Sequence, residues 1–374
     1  MERNLAEAIQ RDLKSKIVMI TGPRQCGKTT LAKMLTPHYD YFNWDYPEHR
    51  LDMEEKGWDR SKELIIFDEL HKRRNWKSWI KGIYDVEGIP PKYVITGSAR
   101  LDTSRKAGDS LAGRYFLYHL HPFDIKEVKE HVPPGKALER IMQVSGFPEP
   151  FLADKESFYR RWKKTHTDII LRQDLLDMES VRDIPSIETL IALVRRNVGS
   201  PVSYASLAQD LERDAKTVKT WLSYLENLYL IFPVRPFHRN IARSILKMPK
   251  YYLYDTAQVA SGESGKLENY TACAVLKELH RIQDSLGYDV SLNYLRTKDG
   301  KEIDFAVCIN NTVTHLIEVK TGDTSLSSNF KLFSEYFPDS RKIQLVKSLP
   351  REKTYPDGAE IRDAAGWLAN LDLA

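Results

Sequence analysis

Two groups of residues in this chain have types and spacing that could do chemistry. One is Asp304, followed fourteen residues later by Glu318-Val319-Lys320. An acid, a spacer and then acid-x-Lys is the spacing of a metal-dependent phosphodiesterase. The other lies far upstream, Gly22-Pro23-Arg24-Gln25-Cys26-Gly27-Lys28-Thr29. It matches the phosphate-binding loop GxxxxGK[ST], whose backbone N–H groups and following helix N-terminus face phosphates. Lys28 is placed to reach the β- and γ-phosphates, and the Thr29 hydroxyl to bind Mg²⁺, with Thr30 next along the helix.

Each group needs elements to hold it. Lys16 to Ile20 is an apolar run that reads as a buried parallel strand, and Thr30 to Leu35 has helical spacing, so strand, loop and helix follow one another as the motif requires. Leu64-Ile65-Ile66-Phe67 predicts a second buried strand ending in Asp68-Glu69. Ligands bind at that end of an open α/β sheet. Asp68 would hold the Mg²⁺ through water and Glu69 would polarise the attacking water. Tyr93 to Arg100 predicts a third strand with a polar tip, where Ser98, preferred to Thr96, would sense the γ-phosphate. Arg114 precedes a further strand, Tyr115 to Leu120. It reads either as a charge-stabilising group acting across a subunit boundary or as a surface ion pair.

Asp68-Glu69-Leu70-His71-Lys72 with Trp76 and Lys81, then Leu111-Ala112-Gly113-Arg114, Pro122-Phe123 and Gly146-Phe147-Pro148-Glu149, resemble a large prokaryotic family of AAA-type ATPases. That family is related to the branch containing replication-origin and transposition ATPases. The resemblance spans nearly the whole chain. It departs at Asp124, where Ser is usual, and at Ser145, where Gly is usual; neither position touches the nucleotide chemistry. It implies a winged helix and a nuclease-like module in the second half.

Past Pro150 the strand signals stop. Phe158 to Met178 carries apolar residues at helical spacing, read as a helical lid, and Leu190 to Val198 is another helix, closed by Gly199 and Pro201. Ser203 caps a helix with Leu207, Ala208 and Leu211 on one face; Glu212-Arg213-Asp214 turns the chain; Ala215 to Leu228 forms the next helix; Tyr229 to Phe232 is strand-like. This is a helix-turn-helix followed by a wing, with Lys216, Thr217, Lys219 and Thr220 facing out, to DNA or to a protein. Arg235, His238, Arg239, Arg243, Lys247 and Lys250, interleaved with aromatic residues, form a segment able either to neutralise phosphates or to pack along the lid or the nucleotide.

Leu267 to Leu279 predicts an amphipathic helix with Glu268 near its start. Ser291 to Arg296, Glu302 to Ile309 and Val313 to Lys320 predict strands, the last two joined at Asn310-Asn311. Glu318 and Lys320, two apart on a strand, share a face. This pattern resembles the PD-(D/E)xK restriction-endonuclease fold. The resemblance assigns Asp304 and Glu318, with support at the metal from Glu268 on the helix, to Mg²⁺ or Mn²⁺, and Lys320 to the attacking water. The tail from Leu349 carries no motif.

The chain has 374 residues, enough for more than one core, and a formal net charge of +4, which by itself argues little about nucleic acid. Three cysteines, Cys26, Cys273 and Cys308, show no metal or disulfide spacing; with a polar N-terminus and no long apolar run, this reads as a cytoplasmic protein. The expected class is α/β: an AAA-type core with a P-loop NTPase parallel sheet over 1–150, a helical lid over 151–190, a winged helix over 191–250 and an endonuclease-like α/β domain over 251–374. The expected activity is Mg²⁺-dependent ATP hydrolysis acting on DNA, with a nuclease site, in a homo-oligomer assembled through the ATPase domain. The alternative is a nucleotide-switched protein-docking module with an inactive nuclease fold. A third reading is a transposition-type regulator that assembles on DNA without cutting.

Overall fold

The computed structural model describes residues 1–97, 111–175, 183–238 and 248–374, and the side chains of all of these except 173 and 174. Two compact units emerge: Met1–Pro122 with Asp284–Leu286, and Phe123–Gln283 with Gly287–Ala374.

The first unit alternates helices and strands: α1 (Ala6–Asp12), β1 (Ile17–Thr21), α2 (Lys28–Met34), β2 (Tyr39–Asn43), α3 (Pro47–Glu55), β3 (Leu64–Asp68), α4 (Trp76–Glu87), β4 (Lys92–Thr96) and β5 (Tyr115–His119). The strands form a parallel sheet in the order β2-β3-β4-β1-β5. The apolar runs of β1 and β3 become strands buried at every residue, as a sheet covered on both faces requires. One face of the sheet gives Ile17, Met19, Ile65, Phe67 and Ile95 to a core that Trp76, Ile80 and Ile83 of α4 complete. Those three positions are i, i+4 and i+7, one stripe of a helix. Phe67 lies edge-on to Trp58 and Trp79 and stacks with Tyr93. Each such buried side chain contributes about 1.5–3 kcal/mol. The result is a stiff platform whose C-terminal strand ends, Thr21, Asp68 and Thr96, lie side by side.

The second unit opens with helices α5 (Ile125–Val128), α6 (Pro134–Val144), α7 (Pro148–Ala153) and α8 (Glu156–Ile169), the last continuing as a π-helical turn, Ile170–Asp174. Then come α9 (Ile184–Arg196), α10 (Tyr204–Asp210), α11 (Ala215–Asn227) and the antiparallel pair β6 (Ile231–Pro236) and β7 (Lys250–Leu253). Ser203 caps α10 and Asp214 caps α11, each side chain accepting from a backbone N–H three residues on. The chain continues through α12 (Gly262–Leu286), β8 (Val290–Arg296), β9 (Glu302–Ile309), β10 (Thr312–Lys320), α13 (Asn329–Ser334), β11 (Arg341–Val346), β12 (Lys353–Thr354), β13 (Glu360–Asp363) and α14 (Ala364–Ala369). Asn310 and Asn311, with φ of 49° and 62°, make the two-residue turn between β9 and β10.

The eight described strands of this unit form one sheet, ordered β12-β13-β11-β10-β9-β8-β6-β7. The expected border at 250 therefore falls inside a continuous sheet, because β6 pairs with both β7 and β8. The compact division comes after Pro122, not at 150. Strand β13 lies in the tail after Leu349 that carries no motif, and it pairs in parallel with β11, which in turn pairs in parallel with β10.

Candidate functional site

The phosphate loop follows β1 and opens α2. Gly22 has φ 144°, and a Cβ there would sit 2.1 Å from the Leu120 carbonyl oxygen, so only glycine lets the loop start this close to the neighbouring chain. Arg3 holds the loop, donating from Nη1 to the Cys26 carbonyl at 3.1 Å and from Nη2 to that of His121. Cys26 is buried, its thiol 3.4 Å from the Leu120 carbonyl oxygen. Lys28 is buried too, and its ammonium donates to the carbonyls of Gly22 (2.9 Å) and Pro23 (2.7 Å), which aims it across the loop mouth. Thr30 is exposed on α2.

Asp68, at the tip of β3, gathers three hydroxyls. Thr29 donates to its Oδ2 at 2.8 Å, Tyr41 to the same oxygen at 2.8 Å, and Thr96 to Oδ1. Burial, then Asp68, pushes the Tyr41 phenol up, so it stays a donor. Glu69 follows in the left-handed region, φ 55° and ψ 24°, an unfavourable conformation for a bulky residue, and its N–H bonds the Thr96 carbonyl at 2.9 Å. Its Oε2 is buried with no hydrogen-bond partner; His71 Nε2 lies 3.5 Å away and the Lys72 ammonium 3.8 Å away. Burial raises the Glu69 pKa, against the pull of Lys72 and Lys28, which moves it toward the range of a general base.

Sequence reasoning ranked Thr96 behind Ser98 and passed over Tyr41. Thr96 faces Asp68 because β3 and β4 are neighbours in register, Asp68 opposite Thr96, and Tyr41 arrives from β2 two residues before Asn43, which is opposite Asp68. No local pattern announces such a register. Ser98, the preferred phosphate sensor, lies outside the described residues. Arg114 sits just before β5, at the N-terminal end of the strands and away from the loop, where its carbonyl accepts from Ile17 N–H at the start of β1. Its guanidinium forks onto Asp85, Nε to Oδ1 at 2.6 Å and Nη2 to Oδ2 at 3.2 Å, and Lys81 reaches the same carboxylate at 3.1 Å.

Nucleotide and Mg²⁺ fit this first set. It has a cradle that a single Cβ would fill, a Thr–Asp pair of hard oxygens and an adjacent buried carboxylate.

In the second unit β9 and β10 bring Asp304, Glu318 and Lys320 together, and Glu268 joins them from α12. Val319 N–H donates to Asp304 Oδ2 at 2.8 Å, and Lys320 Nζ donates to Glu318 Oε1 at 2.7 Å. Burial, then Glu268 and Glu318, pushes Asp304 well above the usual carboxylate range. Burial also raises Glu318, opposed by Lys320. A residue that was grouped with the basic segment is here as well. Lys250, 1 % exposed, places its ammonium 2.5 Å from Glu302 Oε1 and 3.5 Å from Glu268 Oε1. Burial draws its pKa down, but Glu268, Asp304 and Glu302 more than reverse this, so it stays charged. Among the described residues no three His, Cys, Asp or Glu side chains are arranged to hold a metal ion. The donor set expected for Mg²⁺ or Mn²⁺, Glu268, Asp304 and Glu318, thus assembles around a lysine, and does not fit a divalent ion.

The outward face of α11 presents exposed Lys216, Lys219 and Thr220, while Thr217 is tied to Asp214. His238 is described; Arg239, Arg243 and Lys247 lie outside the described residues. No described helix is long and apolar enough to cross a membrane.

Residues 14–129 match the family described as AAA domain, so the first unit carries an AAA-type P-loop domain of the ATP-binding kind. Residues 135–262 and 268–362 match two families described as domains of unknown function, DUF8612 and DUF4143. An uncharacterized protein of Mycobacterium tuberculosis is 25% identical over 369 residues, 95% of this chain and 81% of that one. An uncharacterized protein of Methanocaldococcus jannaschii is 23% identical over 378 residues, 89% and 82% of the two chains. Among solved structures, a variant of RuvB from Thermotoga maritima aligns with TM-score 0.32 and 18% identity over 61% of this chain and 86% of that one. A signal-transduction ATPase with a tetratricopeptide-repeat sensor from Pyrococcus horikoshii aligns with TM-score 0.25 and 14% identity over 77% and 48%. Likenesses this distant carry no argument about this chain.

Proposed function

We propose that this protein is a Mg²⁺-dependent ATPase whose nucleotide state governs the engagement of DNA by its second unit. The observation that carries the ATPase reading is Asp68 bonded by Thr29, Tyr41 and Thr96, with Glu69 immediately beside it. Thr29 and Asp68 would hold the Mg²⁺, which when bound neutralises phosphate charge. The loop N–H groups bind the phosphates and Lys28 turns from its own carbonyls to them. Glu69 orients water and takes its proton on the buried Oε2. Arg114 is forked onto Asp85 and would have to leave that ion pair to serve the site of a neighbouring protomer, the role for which a homo-oligomer belongs to the proposal.

The order α9, α10, α11, β6, β7 supports a winged-helix reading, with the Lys216 and Lys219 face toward the DNA phosphates. The β9–β10 hairpin supports an endonuclease-like fold for the rest. Lys250 in the carboxylate cluster favours the version in which that fold docks a partner and does not cut.

The test is ATP hydrolysis with Mg²⁺, with and without single- and double-stranded DNA. Glu69→Gln should keep ATP binding and lose roughly 10²–10⁴-fold in turnover, the usual contribution of a positioned base. No hydrolysis by the wild type would sink the ATPase reading. Hydrolysis indifferent to DNA would sink the DNA arm and leave the protein-docking switch.

A further inference from the structure

The Asp304…Glu318-x-Lys320 pattern calls for a divalent cation, yet each carboxylate around it already has a donor. Glu268 Oε1 accepts from the Tyr252 hydroxyl at 2.7 Å and from Lys250. Gly199 packs close to the carboxylate: a Cβ there would lie 2.6 Å from Oε2 and 2.8 Å from Oε1. Glu302 is bridged, Oε1 by Lys250 and Oε2 by Arg296 at 3.0 Å. Asp304 is bonded by Val319 N–H and Glu318 by Lys320. Glu318 Oε2 is buried without a hydrogen-bond partner, and the charge on that carboxylate already faces the ammonium groups of Lys320 and Lys250.

Lys250 is not a passer-by. It opens β7, is opposite Val234 of β6, and bridges to Pro201. Its side chain passes over the Tyr294 ring, 5.3 Å from the centroid, and ends among the carboxylates. An ammonium this deep stays only where paired acids repay its lost hydration. A divalent ion entering the cluster would take oxygens from that ammonium and then face it at short range, so the two cations exclude one another.

We propose that Lys250 is the resident cation of the C-terminal cluster. Its ammonium holds the place among Glu268, Glu302 and Asp304 that a divalent ion would need. The cluster therefore binds neither Mg²⁺ nor Mn²⁺ and cleaves no phosphodiester, and its work is to bind α12 and β9 to the β6–β7 pair.

The experiment is Mn²⁺ titration calorimetry on the full chain without nucleotide, comparing wild type, Asp304→Asn, Lys250→Met and the Lys250→Met/Asp304→Asn pair. Any weak binding at the phosphate loop is common to all four. Wild type and Asp304→Asn should give the same isotherm, and neither should nick supercoiled DNA in Mn²⁺. Lys250→Met should gain one Mn²⁺ equivalent that the double variant lacks. An equivalent present in wild type and lost in Asp304→Asn would overturn the proposal, as would Mn²⁺-dependent nicking that Lys320→Ala abolishes. A folded Lys250→Met protein that gains nothing would overturn it too. Should Lys250→Met fail to fold, the wild-type and Asp304→Asn isotherms still decide the question.

Discussion

Replacing Thr96 by Val asks whether the β4 tip serves the nucleotide site or only the core. The exchange keeps the branched shape and removes one hydroxyl. Thr96 is fully buried, and its hydroxyl is the donor to Asp68 Oδ1; the Tyr41 and Thr29 hydroxyls both go to Oδ2. A hydrogen bond to a charged group contributes about 1.5–3 kcal/mol. If that bond orients the carboxylate for Mg²⁺, the loss is felt when Mg·ATP binds and reacts. It then corresponds to a fall of roughly 10- to 150-fold in kcat/KM, at tenfold per ~1.4 kcal/mol. The assay is steady-state ATP hydrolysis across a Mg²⁺ series, beside a thermal melt. Thr96→Val should need more Mg²⁺ for half-maximal rate, because an unanchored Asp68 holds the ion less well. A variant that melts lower but keeps wild-type turnover and Mg²⁺ dependence would refute the reasoning and leave Thr96 a core residue.

Two further outcomes follow from the same geometry. Gly22→Ala should lose nucleotide binding outright, read by fluorescent-nucleotide titration, since its Cβ would lie 2.1 Å from a backbone oxygen that cannot step aside; retained binding would mean that the loop start is more pliant than drawn. His315, buried on β10, has its pKa lowered from 6.5 to about 4 by burial, then by Arg341. Below pH 6.5 the unfolded chain takes up a proton that the folded chain refuses until about pH 4. Stability should therefore fall as pH drops through that window, by about 3 kcal/mol in all, and His315→Asn should flatten that stretch of the melting curve.

Most of the nucleotide site was legible because its parts are local. A glycine loop between an apolar strand and a helix, and two acids at the end of another apolar strand, are each contained in a few residues. The hairpin carrying Asp304, Glu318 and Lys320 was legible for the same reason, down to its Asn310-Asn311 turn. What escaped was set by neighbours distant in sequence. Thr96 and Tyr41 meet Asp68 through strand register. Lys250 reaches Glu268 and Glu302 because β7 lies at the edge of a sheet that no local signal predicts. Read alone, it was one more cation in a basic run. Arg114 shows the reverse limit: its position was read, but its partner Asp85, on α4, was not.

The continuity of the eight-stranded sheet bears on how this protein can be taken apart. A fragment beginning at 251, where sequence patterning invites a cut, would lack β6 and the Lys250 ammonium together. It would bare the flank of β8 as an open edge, ready to pair with other chains. It would also leave Glu268 and Glu302 without their shared counter-charge. The β6–β7 pair is thus at once the end of the helical region and the selvedge of the sheet, and a piece lacking it would be frayed material, not a smaller version of the whole.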